Sequence, residues 1–233
     1  MSLHPVLFDV PPYRLSGVMV GALLNDPAQL AALGDAVLTA PHKAPPCAPV
    51  LEIKPRHTQA ADGDPITVPD GEDGLEAGAS LGIVIGRTAC RVSASSAMDV
   101  IAAYLICGDY SLPLASHYRP AVRQKARDGF CPLGPRIVPA ANVPDPDALG
   151  FEVAVDGVVV QRGSTAGRVR SVAQLTADIS EFMTLRPGDV LLLGRTHGVP
   201  TARVGQTVAI SFSGLGRLVN RLQREPAALT EQA

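Results

Sequence analysis

The chain has 233 residues, a formal net charge of -2 and 46% hydrophobic content, enough for one large core or for a core with a small lobe attached. A charge this close to balance excludes the basic surplus of a nucleic-acid-binding surface, and no apolar run reaches the about 18 residues that a membrane span needs. The N-terminal stretch MSLHPVLFDVPPYRL lacks a basic region followed by an apolar one, so it predicts no secretory signal.

Cys47, Cys90, Cys107 and Cys131 are scattered, without a Cys-x-x-Cys pair, and predict reduced thiols and a cytoplasmic location. Frequent Gly and Pro, no Trp and 4% aromatics predict many turns, short strands and a Val/Leu/Ile core. In chain order, two apolar runs, Val6 to Val10 and Gly17 to Leu24, precede a stretch from Asp26 to Leu38 that is expected to be helical. The proline-rich APHKAPPCAP is a connector. VLEIKPR is expected to be a strand leaving through Lys54-Pro55, and LGIVIG (81–86) a buried strand. Ser96-x-x-Asp99 resembles a capping box and predicts a helix through Ala97, Ile101, Tyr104 and Leu105 that Gly108 ends.

FEVAV-DG-VVVQRG (151–163) predicts a hairpin, because Asp156-Gly157 supplies the positive φ angles of a two-residue turn. SVAQLTADISEFMTL predicts an amphipathic helix with Leu175, Ile179, Phe182 and Met183 on one face. RPGD then turns the chain into the strand VLLLG, and TVAISFS and RLVNRLQ straddle GLG as a last pair. The fold class is therefore β-rich α+β, a rolled or barrel-like mixed sheet with a few peripheral helices. Residues 1–45 are expected to form a small N-terminal lobe, 46–224 the main domain and 225–233 a frayed tail.

The segments IKPR (53–56), LGIVIG, CGDYS (107–111), YRPAVRQKARDGFCPLGP (118–135), VAVDGVVVQ (153–161), SEFMTLRPGDVLLLG (180–194) and GLGRLVN (214–220) form an ordered series. From about Val50 to Asn220 this series resembles the catalytic domain of the fumarylacetoacetate hydrolase family. Tyr118-Arg119-Pro120, Lys125 and Arg127-Asp128-Gly129 look like the branch that handles homoprotocatechuate breakdown. There the resemblance implies a bifunctional isomerase/decarboxylase acting on 5-carboxymethyl-2-hydroxymuconate and its oxo-tricarboxylate precursor, built of two homologous halves. The length fits one half, and the resemblance implies a homodimer or a heteromer with a homologous subunit.

The resemblance also implies an Mg or similar divalent cation, held by a Glu-x-Glu on one strand and an Asp further on, which would stabilise an enolate. The two Glu positions are Gly78 and Ser80 here, and the Asp is Asp109. Glu76 has the parity to face the same way, about 7 Å along the strand. Asp109 reads equally as a remaining ligand or as a turn residue at a helix end. The family's His-x-x-Glu dyad falls on GALLNDPAQLAAL, which has neither residue; His42 and His57 lie nearby but lack the spacing, and His117, just before Tyr118, could face a cleft but reads more simply as a surface residue.

Lys125 matches the family lysine, placed to meet a substrate carboxylate or a developing enolate oxygen. Arg119 and Arg127 could clamp further carboxylates or simply face water. Lys54 matches too, bordering the site or solvated at a strand end. In Leu193-Gly194-Arg195-Thr196-His197-Gly198, Gly194 and Gly198 match a Thr-Gly-Thr-Pro-type turn; Arg195 stands in the second threonine's place and Thr196 lies one residue on, a candidate donor to substrate. Two alternatives to the isomerase/decarboxylase stay open. One is a metal-poor, non-catalytic partner of a homologous chain. The other is acylpyruvate hydrolysis, against which the missing dyad counts, since water needs a base.

Overall fold

A computed structural model describes residues 17–114 and 119–226. His117, Tyr118, the run Val6 to Val10 and most of the 225–233 tail lie outside the described residues. In chain order the strands are β1 (Met19–Leu23), β2 (Val50–Lys54), β3 (Gln59–Ala60), β4 (Ile66–Val68), β5 (Gly74–Ile85), β6 (Ile101–Ser111), β7 (Cys131–Pro132), β8 (Val138–Pro139), β9 (Gly150–Val155), β10 (Val158–Ser164), β11 (Val190–Leu192), β12 (Thr201–Arg203), β13 (Thr207–Phe212) and β14 (Gly216–Arg224). The helices are α1 (Pro27–Ala32), α2 (Val122–Lys125) and α3 (Val172–Phe182). No helix among the described residues is long and apolar enough to cross a membrane.

One seven-stranded sheet runs β2-β1-β11-β5-β6-β8, with β12 also paired to β5. A five-stranded sheet runs β10-β9-β13-β14-β4. Parallel pairs (β1 with β11, β14 with β4) sit among antiparallel ones, as expected for mixed sheets. The expected boundary at residue 45 does not divide the sheet: β1 lies between β2 and β11, bonded to both.

Strand alternation sorts the two faces of the long β5/β6 ribbon. Leu75, Ala77, Ala79, Leu81, Ile83 and Ile85 enter the main core together with Tyr104, Ile106 and Tyr110. The opposite face carries Val84, Leu105 and Cys107 into a second cluster with Met19, Cys131, Leu133, Val190 and Leu192. That second face also bears the polar positions: Glu76 is opposite Ser111 and Gly78 opposite Asp109.

The helix expected from Ser96 to Gly108 is instead a short 3-10 turn, Ala97–Val100, followed by β6. Ser96 makes no side-chain cap. The run Ala103 to Ser111 is buried on both faces, and such a run loses the alternation that marks a half-buried strand. Gly108 sits mid-strand rather than at a helix end, and a β-carbon there would stand 2.7 Å from Pro132 Cγ. The stretch from Asp26 to Leu38 gives only α1 and a 3-10 turn, broken at Gly34, whose φ is 51°. In α3, Leu175 and Ile179 are buried as expected, but Phe182 is 67% exposed at the last helical position. The Asp156-Gly157 hairpin forms with φ of 48° and 81°, and β13 and β14 pair as the closing antiparallel unit.

Candidate active site

Lys54 ends β2 and Asp109 lies near the end of β6, four strand positions apart in the sheet order. In a flat sheet four spacings amount to about 19 Å. Yet Lys54 Nζ donates to Asp109 Oδ1 at 2.6 Å, so the sheet rolls until these strands face each other. Lys125 Nζ, from α2, donates to the other carboxylate oxygen at 3.0 Å. Glu52 follows the two-residue period of β2 onto the same face as Lys54. Its Oε1 makes charge contacts, without hydrogen-bond angles, at 2.9 Å to Lys54 and 2.7 Å to Lys125. Gly21, directly opposite Glu52, leaves room for this: a β-carbon there would stand 3.0 Å from Oε1.

A second arm comes from the turn after β11. Gly194 adopts φ of +99°, and a β-carbon there would lie 2.5 Å from the Ala22 carbonyl; glycine alone makes this turn without strain. Its N–H donates to Ser80 Oγ at 3.0 Å. Asn25 Nδ2 donates to the carbonyls of Leu193 and Arg170, while Asn25 Oδ1 accepts from Arg170 N. His197 N donates to Asp26 Oδ2 at 2.8 Å, and Gln161 Nε2 reaches Thr196 Oγ1 at 3.1 Å. The turn, held from three directions, sends Arg195 back beneath the sheet. Its Nη2 meets Glu76 Oε2 at 2.8 Å and its Nη1 donates to Ser111 Oγ at 2.9 Å.

The result is a buried network in which Lys54, Lys125 and Arg195 balance Glu52, Asp109 and Glu76. Burial would raise Asp109, but Lys125, Lys54 and Arg195 together hold it far below its ordinary 3.8. Burial opposes the charge of Lys54, yet Asp109 and then Glu52 outweigh it and hold the ammonium above its ordinary 10.5. For Lys125 the balance reverses: burial, with repulsion from Lys54 and Arg195, outweighs Asp109 and Glu52 and lowers it. Of the two ammonium groups, Lys125 is the readier to give up a proton.

Four of the expected site residues divide among three clefts, and Lys54, Asp109 and Gly194 line none of the three. Lys125 and the exposed Arg119 line one of about 420 Å³, with Glu52, Leu23 and Leu51. Thr196 lines another of about 340 Å³, with Glu76, Arg195 and His197. Arg127 lines a third of about 510 Å³, with Arg123 and Asp128, away from the buried network. Lys54 is not solvated at its strand end: it is 3% exposed. Asp109 is no turn residue at a helix end; it is a strand residue 2% exposed. His57 holds the α2 loop instead, through Nε2 to the Ala126 carbonyl at 3.0 Å. Sequence reasoning missed Glu52, whose signal was its two-residue spacing from Lys54, and the contacts of Arg195, which depend on sheet register.

The fold is a rolled mixed sheet with a buried Lys/Asp/Glu network where β2 and β6 meet. The fumarylacetoacetate (FAA) hydrolase C-terminal family model matches residues 18–223, and the chain belongs to that family. It is 39% identical over 211 residues to a 4-hydroxyphenylacetate degradation bifunctional isomerase/decarboxylase of Salmonella dublin, covering 91% of this chain and 48% of that protein. The chain thus spans about half the length of the curated relatives it matches. A solved 5-carboxymethyl-2-hydroxymuconate delta-isomerase from Mycobacterium smegmatis superposes with a TM-score of 0.76 at 30% identity, covering 90% of this chain and 80% of that one. A fumarylpyruvate hydrolase from Pseudomonas aeruginosa, solved in complex with Mn2+ and pyruvate, shares the fold with a TM-score of 0.71 at 24% identity, covering 89% of each chain.

A divalent cation does not fit Gly78, Ser80 and Asp109, the residues that the family resemblance assigns to it. Both Asp109 oxygens are taken by ammonium groups. Gly78 offers no donor, and Ser80 Oγ accepts from Gly194 N. Among the described residues no three His, Cys, Asp or Glu side chains converge on a cation position. An ion placed at Asp109 would face Lys54 and Lys125 at close range, and like charges at that distance repel strongly.

Proposed function

We propose that this chain is one half of an isomerase/decarboxylase of 4-hydroxyphenylacetate degradation, binding small di- and tricarboxylates and working in the cytoplasm beside a homologous subunit. The observation that carries this reading is Lys125 at the wall of the 420 Å³ cleft, with Arg119 at its rim. Arg119 would take an outer carboxylate of the substrate as a bidentate partner. Lys125 would face the oxygen on which charge develops, whether a proton leaves carbon during isomerisation or CO2 leaves during decarboxylation. Glu52 and Asp109 hold the Lys125 ammonium in place, which spares the site reorganisation as that charge forms. Thr196, which lines the separate 340 Å³ pocket, is a further donor to substrate carboxylates.

Purified chain would be assayed for loss of the conjugated hydroxymuconate absorbance and for CO2 release. Turnover is expected, with Lys125→Met lowering kcat/KM by about 100-fold or more while circular dichroism is unchanged. No turnover, alone or with the homologous half added, would remove the proposal. The second reading, a non-catalytic partner, is favoured by Gly78, Ser80 and an α1 segment without His or Glu. It predicts turnover only when the homologous half is present, and indifference to Lys125→Met.

A further inference from the structure

The stem of Arg195 lies across Gly78. A β-carbon built on Gly78 would stand 2.9 Å from Arg195 Cδ and 3.4 Å from Arg195 Cβ, and 2.7 Å from the Asp109 carbonyl oxygen. A side chain at 78 would force the Asp109 backbone or the Arg195 stem to shift, so glycine here and arginine there are complementary halves of one arrangement. The guanidinium is buried, with the Arg195 side chain 7% exposed, whereas its anionic partner Glu76 is 24% exposed. Glu76 is therefore the more open member of the pair. Both line the 340 Å³ pocket, beside Thr196, His197, Leu33 and Leu114.

We infer that Arg195 is a built-in cation: a carboxylate of a small organic acid entering this pocket displaces Glu76 from the guanidinium and is bound there without any divalent metal. A guanidinium suits this task, since it keeps its charge at any working pH and presents a planar fork matched to a carboxylate. It is also positioned in advance. Gly194 sets the turn, Ser111 Oγ accepts from Nη1, and Gly78 clears the path. Glu76 then has two roles, neutralising the buried charge in the empty pocket and competing with the incoming anion.

The inference extends the carboxylate-binding part of the proposed function. Its readouts are binding rather than turnover, so either can fail while the other stands. Oxalate, a small planar dicarboxylate, serves as the probe in calorimetric titrations of the full chain, with EDTA and then with MnCl2. Oxalate should bind equally in both, and MnCl2 alone should give no saturable heat at micromolar concentrations. Arg195→Met should weaken oxalate by about 10–100-fold, the range of a lost charged hydrogen-bonding partner. Glu76→Gln should tighten it, by about 3–10-fold, because the competing carboxylate is gone; a merely structural Glu76 would not do so. Should Arg195→Met fail to fold, Arg195→Lys keeps the charge, loses the fork and is expected to bind oxalate more weakly than the native chain. Oxalate binding that requires Mn2+, native affinity in both Arg195 variants, or weaker binding by a folded Glu76→Gln would each overturn the inference.

Discussion

Asp109→Asn isolates the charge at the centre of the network while keeping the side chain's shape. The native carboxylate lies 2.6 Å from Lys54 Nζ and 3.0 Å from Lys125 Nζ, and all three side chains are at most 3% exposed. At an effective dielectric near 20, each such contact is worth roughly 6 kcal/mol of gross attraction. Burying each ion costs several kcal/mol, so the pair terms largely offset desolvation. Removing only the anion leaves the burial cost of the two ammonium groups with Glu52 alone to meet it, and losses of this kind run to about 3–5 kcal/mol. Lys125 limits the damage, because its proton is already disfavoured. We expect a loss of about 3 kcal/mol at pH 7, hence a fall in Tm of about 6–12 °C for a chain of this size.

The sign of the pH dependence follows from the same group. In the variant, Lys125 loses the Asp109 attraction that opposed burial and Lys54, so its folded value falls further below 10.5 and stability rises with pH towards that ordinary value. The deficit should therefore shrink between pH 7 and pH 9. Urea unfolding followed by circular dichroism at the two pH values measures it. The exposed pair Arg162 Nε–Glu152 Oε1, similarly close at 2.8 Å but 71% and 47% exposed, is the control: Glu152→Gln should cost less than about 1 kcal/mol. A deficit within about 1 kcal/mol for Asp109→Asn, equal to the control, would refute the argument that burial makes the difference.

Three more outcomes can be checked. The native protein should lose stability in acid, since the depressed Asp109 contributes stability above its ordinary 3.8 and loses it as pH falls towards the folded value; the raised Lys54 contributes below 10.5 and loses it as pH climbs through the folded value, and equilibrium unfolding across pH reads both limbs. Gly194→Ala forces an L-residue into φ of +99° against the Ala22 carbonyl and should cost at least about 1–3 kcal/mol in the same assay. Asn25→Ala removes the amide that ties Leu193 to Arg170; it should cost about 2–3 kcal/mol and lower hydrogen-exchange protection around Arg170.

Local signals were legible where one residue type has one conformational use. Asp156-Gly157 marks its hairpin because few other pairs accept two positive φ angles, and Leu175 and Ile179 mark the buried stripe of α3. The Ser96 to Gly108 stretch was not legible: a segment buried on both faces has no period to read, and Ser96 mimics a cap it never makes. The site was half legible. Lys54, Asp109 and Lys125 were singled out through the family resemblance, but nothing in their spacing reveals that the lysines close on the aspartate. That depends on how far the sheet rolls. Nor could the sequence show that Arg195 rests on Gly78, since their contact combines the β5/β6 register with a single glycine turn more than a hundred residues away.

The placement of β11 between β1 and β5 bears on how the polypeptide is made. Met19 pairs with Val190 in parallel, a partner that leaves the ribosome last among the three strands. Until then β1 and β5 each present an unbonded edge, the kind of surface that invites association between chains. Pairings so distant in sequence form slowly. A fragment ending before Val190 should therefore aggregate rather than assemble half a pocket.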